Sequence, residues 1–220
     1  MNYLLGLLLL VSTVSVDKTF AGDFVNPIQN TNNESISYSE IQDEALFNCP
    51  YAKMDVEKQQ IIAKLIKIEK SFNPPPNMRG MLLAAACMES GYNPRAKGDR
   101  KFSKNKKKPM AVGILQQWPI FEKTYGIDRT NPESAAQGWM NHIVRQIPKI
   151  KRTCGYKTNN RIWLAAWVAA IRYKKSTGRC KEVPRHYRLL KKWHKNIKRD
   201  RQYKEKKYQF YCTDKEKCGC

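Results

Sequence analysis

Two proline stops bracket the stretch that most limits what this chain can fold into. The segment "NPPPN" at 73–77 cannot continue a helix, and Asn93-Pro94 forces an extended exit, because the residue before a proline avoids the helical region. Between them lies "MRGMLLAAACMESG", small and apolar on nearly every face. The pattern predicts a helix from about 77 to 91, buried by its neighbours, with one carboxylate, Glu89, in its last turn.

The neighbours that would bury it are also helical. Ile61, Ile62, Leu65, Ile66 and Ile68 recur at helical spacing after a start near Asp55. "TNPESAAQGWMNHIVRQI" carries a cap at Asn131, a first-turn proline at Pro132 and an acidic Glu133 at the positive helix end. Its apolar stripe is Ala136, Trp139, Met140, Ile143, Val144 and Ile147. "RIWLAAWVAAIRY" at 161–173 is apolar nearly all round and reads as a central buried helix. A basic helix is expected near Pro184 to Lys198. No strand pattern stands out beyond a short β-ribbon near the Lys-rich loop, so the fold class is all-α.

The N-terminal segment "YLLGLLLLVSTVSV" is apolar but short for a membrane-spanning helix, and "TFAG" follows with the small residues a signal peptidase prefers. A cleaved export signal over 1–21 and a periplasmic or secreted location are expected. In such a compartment cysteines pair. Cys154 and Cys180 flank one predicted helix and can clip its ends; Cys212, Cys218 and Cys220 crowd the C-terminus, with Cys49 and Cys87 as candidate partners for them. The seven cysteines and the histidines His142, His186 and His194 lack zinc-ligand spacing. The chain then divides into the signal, an Asn- and Ser-rich linker over 22–48, a helical domain over 49–180 and a basic, Cys-containing extension over 181–220.

The net charge of +22 is concentrated toward that extension: residues 145–220 hold 24 Lys and Arg against 5 Asp and Glu. Such a surface attracts polyanions. Its aromatic-laced basic run, "RHYRLLKKWHKNIKRDRQYKEKKYQF", is compatible with nucleic acid. Export argues instead for anionic cell-wall or surface polymers.

A carboxyl group set against "LLAAACM" is suited to hand a proton to a glycosidic leaving oxygen. The same Glu89 can also be a solvated residue of a helix's last turn, paired with Arg79 or Arg95. The wider pattern favours chemistry. "ESGYNPRA", then "GILQ", then "NPESAAQGWMNHI" resembles the soluble-type lytic transglycosylases and their goose-type lysozyme relatives over roughly residues 55–178. The resemblance implies a lysozyme-like fold, no cofactor and no metal, and peptidoglycan strands as substrate. It implies Glu89 as the catalytic acid, Ser90 as the serine that orients it or binds sugar, and Gly113, Leu115 and Gln116 as residues lining the sugar groove. Tyr92, Asn93 and Pro94 match the turn that follows the catalytic helix.

The chain departs from that family in two places. The third motif, usually Ala-Tyr-Asn-Ala-Gly, is matched here by "AAWVAAIRY", with Trp167 at the tyrosine position and Val168 at the asparagine position. Trp167 offers a sugar-stacking face or core filling, and a donor without an acceptor. The loop "KGDRKFSKNKKKP" is longer and more cationic than usual. An inverting lysozyme needs a second carboxylate about 6.5–9.5 Å from the acid. Asp99 is the nearest candidate in sequence, and it also reads as a solvated loop residue. The resemblance therefore implies a transglycosylase that leaves 1,6-anhydromuramyl ends. A hydrolytic muramidase and a catalytically weak wall-binding scaffold are the alternatives.

Overall fold

A computed structural model describes residues 35–100, 109–167, 180 and 185–212, with side chains over 186–206 in the last segment. The expected signal, the Lys-rich segment 101–108, Val168 and the pairing of Cys212, Cys218 and Cys220 lie outside what is described.

The architecture is all-α. Helix α1 spans Tyr38–Asn48, α2 Val56–Ser71, α3 Met81–Ser90, α4 Pro119–Tyr125, α5 Pro132–Cys154, α6 Asn159–Trp167 and α7 Arg185–Cys212, with a short 3-10 turn at Pro76–Met78. The expected ribbon is present: β1, Lys97–Gly98, pairs antiparallel with β2, Ala111–Val112, on either side of the Lys-rich segment.

The helix boundaries follow local chemistry. Asp55 caps α2 by accepting the Lys58 N–H, and Asn131 caps α5 by accepting the N–H groups of Glu133 and Ser134. The α5 helix outlasts the sequence signal, running past Pro148 to a left-handed stop at Gly155. The missing proline N–H falls between exposed residues, Val144 among them, so Val144 does not belong to the buried stripe expected of it. The α3 helix starts later than expected, because Gly80 adopts φ +87°.

Every residue of α3 from Met81 to Cys87 is buried, and α1, α2 and α7 pack against this helix. Gly80 allows the close approach: a Cβ there would lie 2.8 Å from Ile41 of α1 and 3.3 Å from Leu190 of α7. The α6 helix is buried from Ile162 to Trp167, as its composition predicts, and packs on α5.

Two stretches set apart from the expected domain carry ordered helix. Within the stretch expected as a linker over 22–48, residues 38–48 form helix α1, opened by a capping box in which Ser37 and Glu40 satisfy each other's backbone N–H. Ile41 and Ala45 anchor it in the core. The region expected as an extension beyond 180 is also part of the core, since Leu190, Trp193 and Ile197 of α7 are buried. Arg201 of α7 grips the Glu40 carboxylate of α1 through two nitrogens, each at 2.6 Å.

Among the described residues two disulfides, Cys49–Cys87 and Cys154–Cys180, join residues 38 and 26 apart. The second clips the ends of the segment containing α6, as expected; the first pairs two cysteines considered as partners for the C-terminal cluster. Both fit an oxidising compartment. Among the described residues no helix is long and apolar enough to cross a membrane.

Candidate active site

Glu89 occupies the last turn of α3, where the buried run ends and the side chain emerges. Its carboxyl is 28% exposed, so it is reachable from solvent yet packed on one side. The turn after it is tightly built. Gly91 and Tyr92 both take left-handed backbone angles, and the buried Tyr92 donates its hydroxyl to the Leu83 carbonyl at 3.1 Å. Tyr92 is thereby a structural pin: burial pushes its hydroxyl pKa well up and keeps it a donor.

Ser90 ties this turn to the second motif. Its hydroxyl lies 2.9 Å from the Ile114 carbonyl, to which it donates, and 3.2 Å from that of Ala86. Loop 113–117 is itself held in an unusual conformation. Gly113 has φ +76°, and a Cβ there would fall 2.0 Å from the Arg129 carbonyl oxygen. Gln116 has φ +45° and turns its amide back to donate to the Gly113 carbonyl at 2.9 Å. Gln116 also covers Gly98 of the ribbon, where a Cβ would meet its Oε1 at 2.4 Å. Leu115 is buried, so it shapes the loop from beneath.

Trp167 ends the described part of α6 and is 9% exposed. Its indole stacks at 7° on the imidazole of His186, with centroids 5.9 Å apart, and receives Trp139 edge-on at 5.8 Å. His186 Nε2 in turn forms a short hydrogen bond with Glu89 Oε1. The structure therefore joins Glu89 and Trp167 through a residue that the sequence reading passed over. The signal was present: His186, Leu190, Trp193 and Ile197 fall on one helical face, spaced 4, 3 and 4 apart.

Asp99 is placed differently. It is exposed, with φ +54°, and its carboxylate accepts the Trp118 indole N–H at 2.9 Å. Its recorded partner is thus an aromatic of the next loop. A cavity of about 820 Å³, lined by Ile61, Lys64, Arg95, Lys97 and Pro132 among others, includes none of the sequence-predicted site residues.

A second unforeseen carboxylate supports the site from behind. Glu69 of α2 is fully buried and accepts hydrogen bonds from the Gly80 and Leu82 amides and the Tyr38 hydroxyl. It satisfies the open N–H groups at the start of α3, the helix that carries Glu89 at its other end. Burial outweighs these donors and pushes the Glu69 pKa up to about 7.

Comparison with protein-family models, with curated proteins and with solved structures finds no match for this chain.

Proposed function

We propose that this chain is an exported peptidoglycan-cleaving enzyme acting on the β-1,4 bond between N-acetylmuramic acid and N-acetylglucosamine. The observation that carries the reading is the setting of Glu89. A partly exposed carboxyl ends a buried helix, its neighbour Ser90 is bonded to the "GILQ" loop, and the imidazole of His186, stacked on Trp167, meets it. The Glu89–Ser90 turn and the "GILQ" loop are motifs by which the sequence resembles lytic transglycosylases, and Ser90 bridges the first to the second.

In the proposed reaction Glu89 gives its proton to the leaving glycosidic oxygen as the bond to the anomeric carbon breaks. The substrate's own acetamido oxygen supports that carbon. Glu89, now a carboxylate, takes the proton of the muramic acid 6-hydroxyl as that oxygen attacks the same carbon. The 1,6-anhydro ring closes and Glu89 is restored, with no water consumed. The resembled motifs, with their single catalytic acid, are the ground for this route over hydrolysis, which needs a second carboxylate to activate water.

The basic face of α7 supplies the proposed affinity for anionic wall polymers. Lys191, Lys195, Lys198 and Arg199 line a groove of about 590 Å³ together with Tyr187 and His194.

Digestion of purified peptidoglycan followed by mass spectrometry of the products tests the reading. Wild type should release 1,6-anhydromuramyl fragments, and Glu89→Gln should lose about 10²- to 10⁴-fold in rate while staying folded. Reducing-end muramyl products would make the enzyme a hydrolase. Wall binding without any product would make it a scaffold.

A further inference from the structure

The imidazole of His186 is held in a way that packing alone does not require. Nε2 meets Glu89 Oε1, the ring lies flat on Trp167, and Trp139 braces that indole from the side. The other ring nitrogen, Nδ1, is buried with no hydrogen-bond partner among the described residues. With Glu89 as a carboxylate, a hydrogen on Nε2 has an acceptor, whereas a hydrogen on Nδ1 would be a buried donor without one and would leave two lone pairs facing each other at Nε2. The arrangement selects the tautomer with its hydrogen on Nε2, directed at Glu89.

We propose that His186 is the positioning residue of the Glu89 carboxyl: its Nε2–H fixes one oxygen, leaves the other to face substrate, and holds the carboxylate that forms when Glu89 gives up its proton. This rests on the wall-cleaving reading above. Glu89 gives its proton to the leaving oxygen and takes another from the attacking hydroxyl, while the imidazole keeps its own hydrogen throughout. The stack on Trp167 gives the "AAWVAAIRY" departure a role. The indole provides a flat seat for the ring that holds the acid, where the resembled family has a tyrosine.

Two variants separate positioning from packing. His186→Phe keeps a ring on Trp167 and removes the N–H. His186→Gln removes the ring and keeps an amide N–H near the place of Nε2. The proposal expects His186→Phe to lose about 10- to 100-fold in kcat at nearly unchanged KM, the scale of one charge-assisted hydrogen bond, and His186→Gln to retain most of it. Nitrogen-15 NMR of the imidazole in the wild-type chain should show the Nε2–H tautomer, with a signal that moves in Glu89→Gln. A His186→Phe enzyme within threefold of wild-type kcat overturns the proposal, because the ring then serves only to pack. An Nδ1–H tautomer beside intact turnover overturns the pairing and leaves the wall-cleaving reading standing. An Nε2–H tautomer in a wild-type chain that releases no wall fragments overturns the wall-cleaving reading, and the positioning role of His186 with it.

Discussion

The carboxylate of Glu69 accepts the backbone N–H of Gly80 at 2.5 Å, so a side chain of α2 does the capping that α3 cannot do for itself. Gly80 has no side chain to turn back on the helix, and Glu69 also takes the Leu82 N–H at 2.8 Å. Replacing Glu69 by Gln sets an amide donor against one of these N–H groups. The expected loss is about 1–3 kcal/mol in urea unfolding.

The same residue gives stability a pH dependence of known sign. Glu69 titrates near 7 in the folded protein against an ordinary value of 4.5. Between those values the folded chain holds a proton that the unfolded chain has released. Its contribution is therefore complete below about pH 4.5 and declines as pH rises to about 7. Unfolding curves at intervals across this window should show the decline in wild type and a flatter profile in Glu69→Gln.

Below that window Glu40 acts in the opposite direction. A hydrogen-bonded guanidinium, that of Arg201, holds its carboxyl down to about 2. The stability it supplies is complete above about pH 4.5 and is lost as pH falls toward 2. Arg201→Met should remove most of this acid sensitivity and cost about 1 kcal/mol at neutral pH, since the pair is partly exposed.

Membership of α7 in the core is tested by Trp193→Ala. The side chain is fully buried, and truncating a buried tryptophan costs about 3–5 kcal/mol. Calorimetry should register a lower Tm for the whole helical unit. A second, separate transition with the main one unmoved would show α7 to be an appendage.

Gly113→Ala addresses the second motif. A methyl group there collides with the Arg129 carbonyl and demands φ +76° of an L-residue. The loop must shift, taking the Ile114 carbonyl away from Ser90. On the proposed function, wall-cleaving turnover should fall at least tenfold, with a smaller change in Tm than Trp193→Ala produces.

Much of the helical plan was legible because its boundaries are local. Asp55, Asn131 and the proline stops act on their own few residues, and α2, α5 and the start of α6 lie close to where spacing placed them. The α1 helix was hidden although its Ser37 and Glu40 form a readable capping box, because its buried face is only Ile41 and Ala45. Glu69 was hidden for a different reason. It continues the stripe of Ile62, Leu65 and Ile66, and a charged residue on such a stripe declares itself only when the donors facing it are known, here from segments 11 to 31 residues away. At the site, Glu89, Ser90 and the loop around Gly113 could be named from short motifs. His186 was missed although it shares a helical face with Leu190, Trp193 and Ile197, because the charge around it made its segment read as a polyanion-binding extension.

Glu89 and His186 stand 97 residues apart in the chain. A ribosome, or a channel threading the polypeptide end first, delivers the carboxyl long before the imidazole that meets it. For that interval Glu89 is present without its counterpart, and α3 lacks the wall that Leu190 and Trp193 later provide. Assembly of the pair thus coincides with arrival of the last helix, and an unfinished chain cannot carry the finished site.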